Sequence, residues 1–166
     1  MSPTTGFGGL LFVEAAAPGT TWLGPVLRAG LFANRSDASL ASGAEARFEW
    51  AAALLEGCPL RLAALETRLA LHSCLAFHLG VLRAQGQRLD RPESTTDLWA
   101  DVGPVARIRV AVATRFFLEA QGMLVLPLRR LTYDVYDAGS AQPPTTMFSV
   151  PRLGALAGIG VAYQFR

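Results

Sequence analysis

Between Leu69 and Arg83 the side chains alternate strictly, and this two-residue period constrains the fold more than any other feature of the chain. Leu69, Leu71, Leu75, Phe77, Leu79 and Val81 share one parity, while Ala70, His72, Cys74, Ala76, His78 and Gly80 share the other. Successive side chains of an extended strand point to opposite faces, so the segment reads as a strand with one greasy face and one small or polar face. Glu45 to Leu54 separates the same way, setting Glu45, Arg47, Glu49, Ala51 and Ala53 against Ala46, Phe48, Trp50, Ala52 and Leu54. In a helix, at about 100° per residue, the three charges would scatter; in a strand they gather on one side.

Five further segments follow the pattern. Leu98 to Val112 opposes Leu98, Val102, Ile108 and Val110 to Asp101, Arg107 and Arg109, and Arg115 to Arg130 opposes Phe116, Leu118, Leu124 and Leu126 to Arg115, Glu119, Gln121 and Arg129. Leu153 to Phe165 sets Ala155, Ala157, Ile159, Val161, Tyr163 and Phe165 against Gly154, Gly158, Gly160, Ala162 and Gln164. Gly6 to Ala15 carries Glu14 on its polar face, and Trp22 to Asn34 carries Arg28. Pro25, Pro104 and Pro127 fall inside strands, where a missing N–H implies local irregularity. Links at Pro18 to Thr20, Leu65 to Thr67 and Ala113 to Thr114 are short, whereas Ser36 to Ala44, Gln85 to Asp97 and Asp134 to Thr146 are long and polar. All short links then fall at one end, as in outer-membrane barrels.

Composition indicates the solvent. The 166 residues are 51% hydrophobic and 17% charged, with mean hydropathy +0.31, more apolar than an average soluble domain. No apolar run approaches the roughly 20 residues of a spanning helix. The remaining way to satisfy every backbone hydrogen bond in lipid is a closed antiparallel barrel. The expectation is therefore one domain over residues 1–166: an all-β, up-and-down transmembrane β-barrel with seven readable strands. Because such barrels normally have an even strand number, an eighth strand is expected upstream, together with a signal peptide. The competing source of an eighth strand is Met147 to Val150, a short segment between Pro144 and Pro151.

All 15 basic residues are Arg and the net charge is only +2, which gives no basic surface for nucleic acid. Cys58 and Cys74 flank a tight hairpin; an oxidising periplasm would permit a disulfide, and two small buried thiols are the alternative. Glu14, Arg28, Glu45, Arg47, Glu49, Asp101, Arg107, Arg109, Glu119 and Arg129 are the candidates for an interior charge network. An eight-stranded barrel is just wide enough for side chains to fill, so mixed charges there read as mutual pairing, with a narrow anion path as the functional alternative. His72 and His78 stand roughly 20 Å apart at strand rise and cannot share a metal. Ser73 points away from His72, so it is not a natural nucleophile for that histidine. Neither a metal nor a cofactor is called for. Trp22, Trp50, Trp99, Tyr133 and Tyr163 read as an interfacial aromatic girdle or, equally, as core residues of a soluble protein, and Gly103, Gly122, Gly154, Gly158 and Gly160 as room for crowded packing.

The final segment, Gly160-Val161-Ala162-Tyr163-Gln164-Phe165, resembles the C-terminal strand of bacterial outer-membrane β-barrel proteins, although Arg166 follows the aromatic that commonly ends that family. The resemblance implies the small eight-stranded class, location in the bacterial outer membrane, contact with its lipid, and recognition of Val161, Tyr163 and Phe165 by the barrel assembly machinery. The class includes structural barrels, adhesion proteins and a few lipid-acting enzymes. The leading expectation is a structural barrel, or one whose loops bind an external partner that the sequence leaves unspecified; an enzyme is the weaker reading. Three others stay open: a lipid-modifying enzyme, a narrow channel, and a soluble lipocalin-like barrel with Leu69, Phe77 and Leu79 turned inward around an apolar ligand.

Overall fold

The computed structural model describes residues 6–17, 23–39, 45–64, 68–87, 94–129, 131–135 and 145–165. Every regular element among them is a strand: β1 (Gly6–Ala16), β2 (Leu23–Ser39), β3 (Glu45–Ala64), β4 (Leu69–Gln87), β5 (Ser94–Ala111), β6 (Phe116–Pro127), β7 (Thr132–Val135), β8 (Thr145–Ser149) and β9 (Gly154–Tyr163). Seven form one antiparallel sheet in the order β1-β2-β3-β4-β5-β6-β9, and β7 pairs with β8 alone. The short segment near Met147 is thus a strand, but it does not enter the main sheet. The sheet curls into a half-barrel: Arg28 on β2 reaches Glu119 on β6 at 2.7 Å, and Glu14 on β1 reaches Arg109 on β5 at 2.8 Å.

The expected contrast in link length is mostly absent. Strands β2 to β5 run on past their apolar segments, leaving links of 40–44 and 88–93, comparable with 17–22. Only the connection from β6 to β9 is long, and it carries the β7–β8 hairpin; that end is called the hairpin end below, and the opposite one the turn end. Polar extensions such as Gln85 and Ser94 still pair in register. Where both faces of a strand are polar, alternation disappears while the hydrogen-bond ladder continues.

Prolines account for several irregularities. The β2–β3 register shifts between Leu23 and Val26, around Pro25, and the β3–β4 register shifts between Gly57 and Leu60, around Pro59. Between β5 and β6 the pairing skips from Val102↔Leu126 to Val105↔Met123, across Pro104, and Pro127 ends β6. Each lacks the N–H that a ladder needs. Gly103 is required beside Pro104, because a Cβ there would lie 1.6 Å from the Leu124 carbonyl oxygen. Gly122 and Gly160 would meet nothing within 4 Å, and Gly154 and Gly158 only ordinary contacts. Crowding thus explains Gly103 and none of the other four.

Two apolar layers fill the concave side. Val26, Leu54, Cys58, Cys74, Ala76, Val105, Met123 and Val125 pack with Leu10 and Leu156. Nearer the hairpin end, Phe48, Leu82 and Trp99 pack with Leu131 and Val150. Leu131 and Val150 flank the β7–β8 hairpin and are joined by a backbone hydrogen bond of 3.0 Å, so the hairpin's base is folded into the mouth. The convex side is the reverse of a soluble surface: Leu27, Leu31, Leu55, Leu75, Leu79, Leu98, Ile108 and Leu118 all lie exposed there. Phe77 and Leu79 face outward, whereas the lipocalin-like arrangement needs them inside.

Candidate functional site: an interior ion-pair layer

Strand register assembles the charge from two walls. Glu14, Arg28 and Glu56 are direct cross-strand neighbours on β1, β2 and β3. On the opposite wall Arg109 faces Glu119, and Arg107 faces Gln121, across β5 and β6. Curling brings the walls together. Arg28 donates from Nη1 and Nη2 to the two Glu119 oxygens at 2.7 and 2.8 Å, and from Nε and Nη2 to Glu14 Oε2 at 3.2 and 2.9 Å. Arg109 grips both Glu14 oxygens at 2.8 Å and Glu119 Oε2 at 2.9 Å. Arg107 donates to Glu14 at 2.9 Å and to Glu56. The Arg28 guanidinium also lies 3.7 Å from the centre of the Phe12 ring, a cation–π contact.

Arg28 and Arg107 are completely buried. Burying such groups is tolerable only when they are paired and hydrogen-bonded, and three arginines against three glutamates give a formal sum of zero. Bidentate Arg–carboxylate geometry of the Arg28–Glu119 kind is among the strongest charge-assisted pairings. Chemically the layer is a neutral, interlocked plug rather than a path lined by one sign of charge.

The structure gathers Glu14, Arg28, Arg107, Arg109 and Glu119 from the expected set into this layer and places the others elsewhere. Arg47 and Glu49 lie on the convex parity of β3, because Phe48, Ala52, Leu54, Glu56 and Cys58 hold the concave one. Arg47 instead pairs with Asp37 at 3.0 Å. Glu45 begins the same strand, but its side chain lies outside the described residues. These charges sit beyond the apolar belt, where the convex face is polar too, so charge there does not mark the interior. Arg129 is exposed in the bend after β6.

Asp101 is inside but belongs to a second group. Its Oδ1 lies 2.8 Å from His78 Nδ1, and its Oδ2 accepts from Trp99 Nε1 at 2.6 Å. Trp50 stacks edge-on with Trp99, Phe32 and His78 at 5.1, 4.9 and 5.9 Å between centroids. Trp50 and Trp99 therefore form an interior aromatic cluster rather than part of a girdle; Trp22 and the Tyr133 side chain lie outside the described residues. A carboxylate-oriented histidine could act as a base, yet among the described residues no hydroxyl or thiol is hydrogen-bonded to His78. His72 is buried and Ser73 exposed on the opposite face, so that pair forms no dyad.

Cys58 and Cys74 are joined in a disulfide between β3 and β4. Glu56 lies beside them, but thiols consumed in a disulfide supply no thiolate ligands, and Glu56 is engaged by Arg107. The trio is not a metal site. Sequence reading missed Glu56, although extending the Phe48-to-Leu54 parity by one step reaches it. At the turn end, Phe116, Tyr163 and Phe165 stack on the convex rim with centroids 5.0 and 4.9 Å apart, and Arg115 donates to the Tyr163 hydroxyl at 3.3 Å. Val161, Tyr163 and Phe165 share that exposed face. Compared with protein-family models, curated proteins and solved structures, the chain matches none.

Proposed function

We propose that the chain is a plugged β-barrel of the bacterial outer membrane, serving as a structural element that holds its hairpin end at the outer surface. One observation carries this reading: on β2 to β5 the convex face is apolar, Ser73 apart, up to a single register row and polar from that row on. Ala33, Ala51, Val81 and Leu98 are successive cross-strand neighbours, and the next outward-facing row is Arg35, Glu49, Arg83 and Thr96. Below that boundary Leu69 to Val81 pairs with Val110 to Leu98. Each run covers about 40 Å at about 3.3 Å per residue, or about 30 Å along the membrane normal at a tilt near 40°. This matches a hydrocarbon core of about 30 Å. Soluble monomers rarely expose contiguous apolar patches beyond a few hundred Å².

The stacked Phe116, Tyr163 and Phe165 suit an interfacial girdle at the other boundary. In this reading lipid is the principal partner, and Val161, Tyr163 and Phe165 face the side from which the barrel assembly machinery would bind. The ion-pair layer argues against conduction, and the lack of a nucleophile at His78 among the described residues argues against a lipid hydrolase. Reconstitution of the chain into planar bilayers tests the plugged interior. The expected trace is indistinguishable from protein-free bilayer; discrete, salt-dependent conductance steps would reverse the assignment in favour of a channel.

A further inference from the structure

The two sheet edges cannot close on each other as antiparallel neighbours. Each neighbouring pair in the sheet is antiparallel and there are seven strands, so β1 and β9 run in the same direction, from hairpin end to turn end. Among the described residues neither edge has a ladder partner on its outer side, which leaves backbone N–H and C=O groups there unpaired. Curvature limits the width of the gap. The contacts of Arg28 with Glu119 and of Glu14 with Arg109 span the interior, as side chains do in a barrel of about eight strands. A cavity of about 1140 Å³ occupies the interior beside Phe32, Trp50, His78 and Met123 and opens at the seam, between Gly6, Gly8 and Leu10 on one edge and Leu156, Gly158 and Gly160 on the other. Gly160 there faces open space, and a Cβ at Gly158 would meet only Gln121, at 3.7 Å.

We propose that the seam is a docking site for one further β-strand of the same polypeptide, joined ahead of β1 and running from turn end to hairpin end. Such a strand is antiparallel to both edges and completes both ladders. Its own end then falls at the hairpin end, where β1 begins, so one loop connects them without crossing the barrel. Its outward residues are apolar, continuing the belt from Leu11 and Val13 to Ile159 and Val161, all of which lie exposed along the two edges. Its inward residues are bulky, filling the cavity where it opens between the two edges. A second copy sharing both edges would make a barrel of twice the strand number, too wide for the contacts across the interior. An acyl chain would leave both rows of backbone groups unsatisfied.

The test is a fusion. A second copy of Phe116–Pro127 is placed ahead of Met1 through a short loop, because β6 already runs in the required direction and is the antiparallel partner of β9. A control fusion shifts that segment by one residue, which exchanges its faces. Both, and the parent chain, carry Val13→Cys and Val161→Cys on the convex face; Cys58 and Cys74 are already bonded to each other. In the fusion the edges lie two strand spacings apart, about 9.6 Å, so a bismaleimide spanning about 10 Å joins them and direct oxidation does not. The folded fraction rises several-fold over parent and control. Efficient direct disulfide formation in the parent would overturn the proposal, as would a fusion no better folded than its shifted control, or an acyl chain bound at the seam that the fusion fails to displace. The cross-link reads strand spacing in any solvent in which the sheet folds, so its failure is separable from failure of the membrane assignment.

Discussion

Replacing Arg28 with Met tests whether the sheet curls to bring its two walls together, because Arg28 and Glu119 sit on strands that are not neighbours in the ladder. The substitution removes four hydrogen bonds of 2.7 to 3.2 Å to Glu14 and Glu119. It also leaves two buried carboxylates and the part-buried Glu14 facing two guanidinium groups. Removing one partner of a buried pair costs about 3–5 kcal/mol, mostly through the charge left unpaired. Glu119→Met should cost a similar amount, since it frees part of both Arg28 and Arg109. The double substitution restores a formal sum of zero, with Arg107 and Arg109 still held by Glu14 and Glu56. It should therefore cost clearly less than the sum of the singles, with a coupling of about 2 kcal/mol or more. Urea unfolding of the chain in detergent, followed by fluorescence of Trp50 and Trp99, reads these differences. At a slope near 2 kcal/mol per molar, each single lowers the midpoint by about 2 M. Additivity to within about 0.5 kcal/mol would refute the curled arrangement, because an open sheet keeps β2 and β6 apart.

Three further outcomes follow from the geometry. Phe77→Arg, in the middle of the belt, should destabilise the bilayer-inserted form by about 2–4 kcal/mol, while Thr96→Glu, in the charged row and directly opposite Arg83, should change it little; denaturant titration in vesicles compares them. Replacing both Cys58 and Cys74 with Ala removes a cross-link closing a loop of sequence separation 16, worth up to about 3 kcal/mol in a chain-entropy estimate, and should lower the unfolding midpoint in oxidising buffer to the value of the reduced parent. Gly103→Ala should disrupt the β5–β6 ladder, since the new methyl collides with backbone rather than with a movable side chain; slowed hydrogen exchange at Val105 and Met123 in the parent should be lost in the variant.

Four strands were legible because their outward parity, Ser73 apart, is apolar throughout the belt: in β4, β5, β6 and β9 the charged and histidine side chains of that stretch all fall on the other parity. In β3 the same alternation was visible but its sense was not. Glu45, Arg47 and Glu49 are locally indistinguishable from an interior charge set, and only Glu56 and Cys58, farther along, fix which parity faces inward. Charge identifies the interior only within the apolar belt, and the sequence does not mark where that belt ends. The same limit made the polar ends of β2, β4 and β5 look like loops. The ion-pair layer was partly visible as a list of charges, but its membership depends on which strands meet across the interior. The Asp101–His78–Trp99 group was not foreseen, because Trp50 and Trp99 near strand ends look equally suited to a rim.

Gel migration of the refolded chain in detergent, with and without heating, tests most directly whether the convex belt meets lipid. The account predicts a chain that needs detergent to remain dispersed and gives a compact band that shifts on boiling. A monodisperse, water-soluble β protein with no heat-dependent shift would contradict it, because the exposed leucines of β2 to β6 would then have to tolerate water.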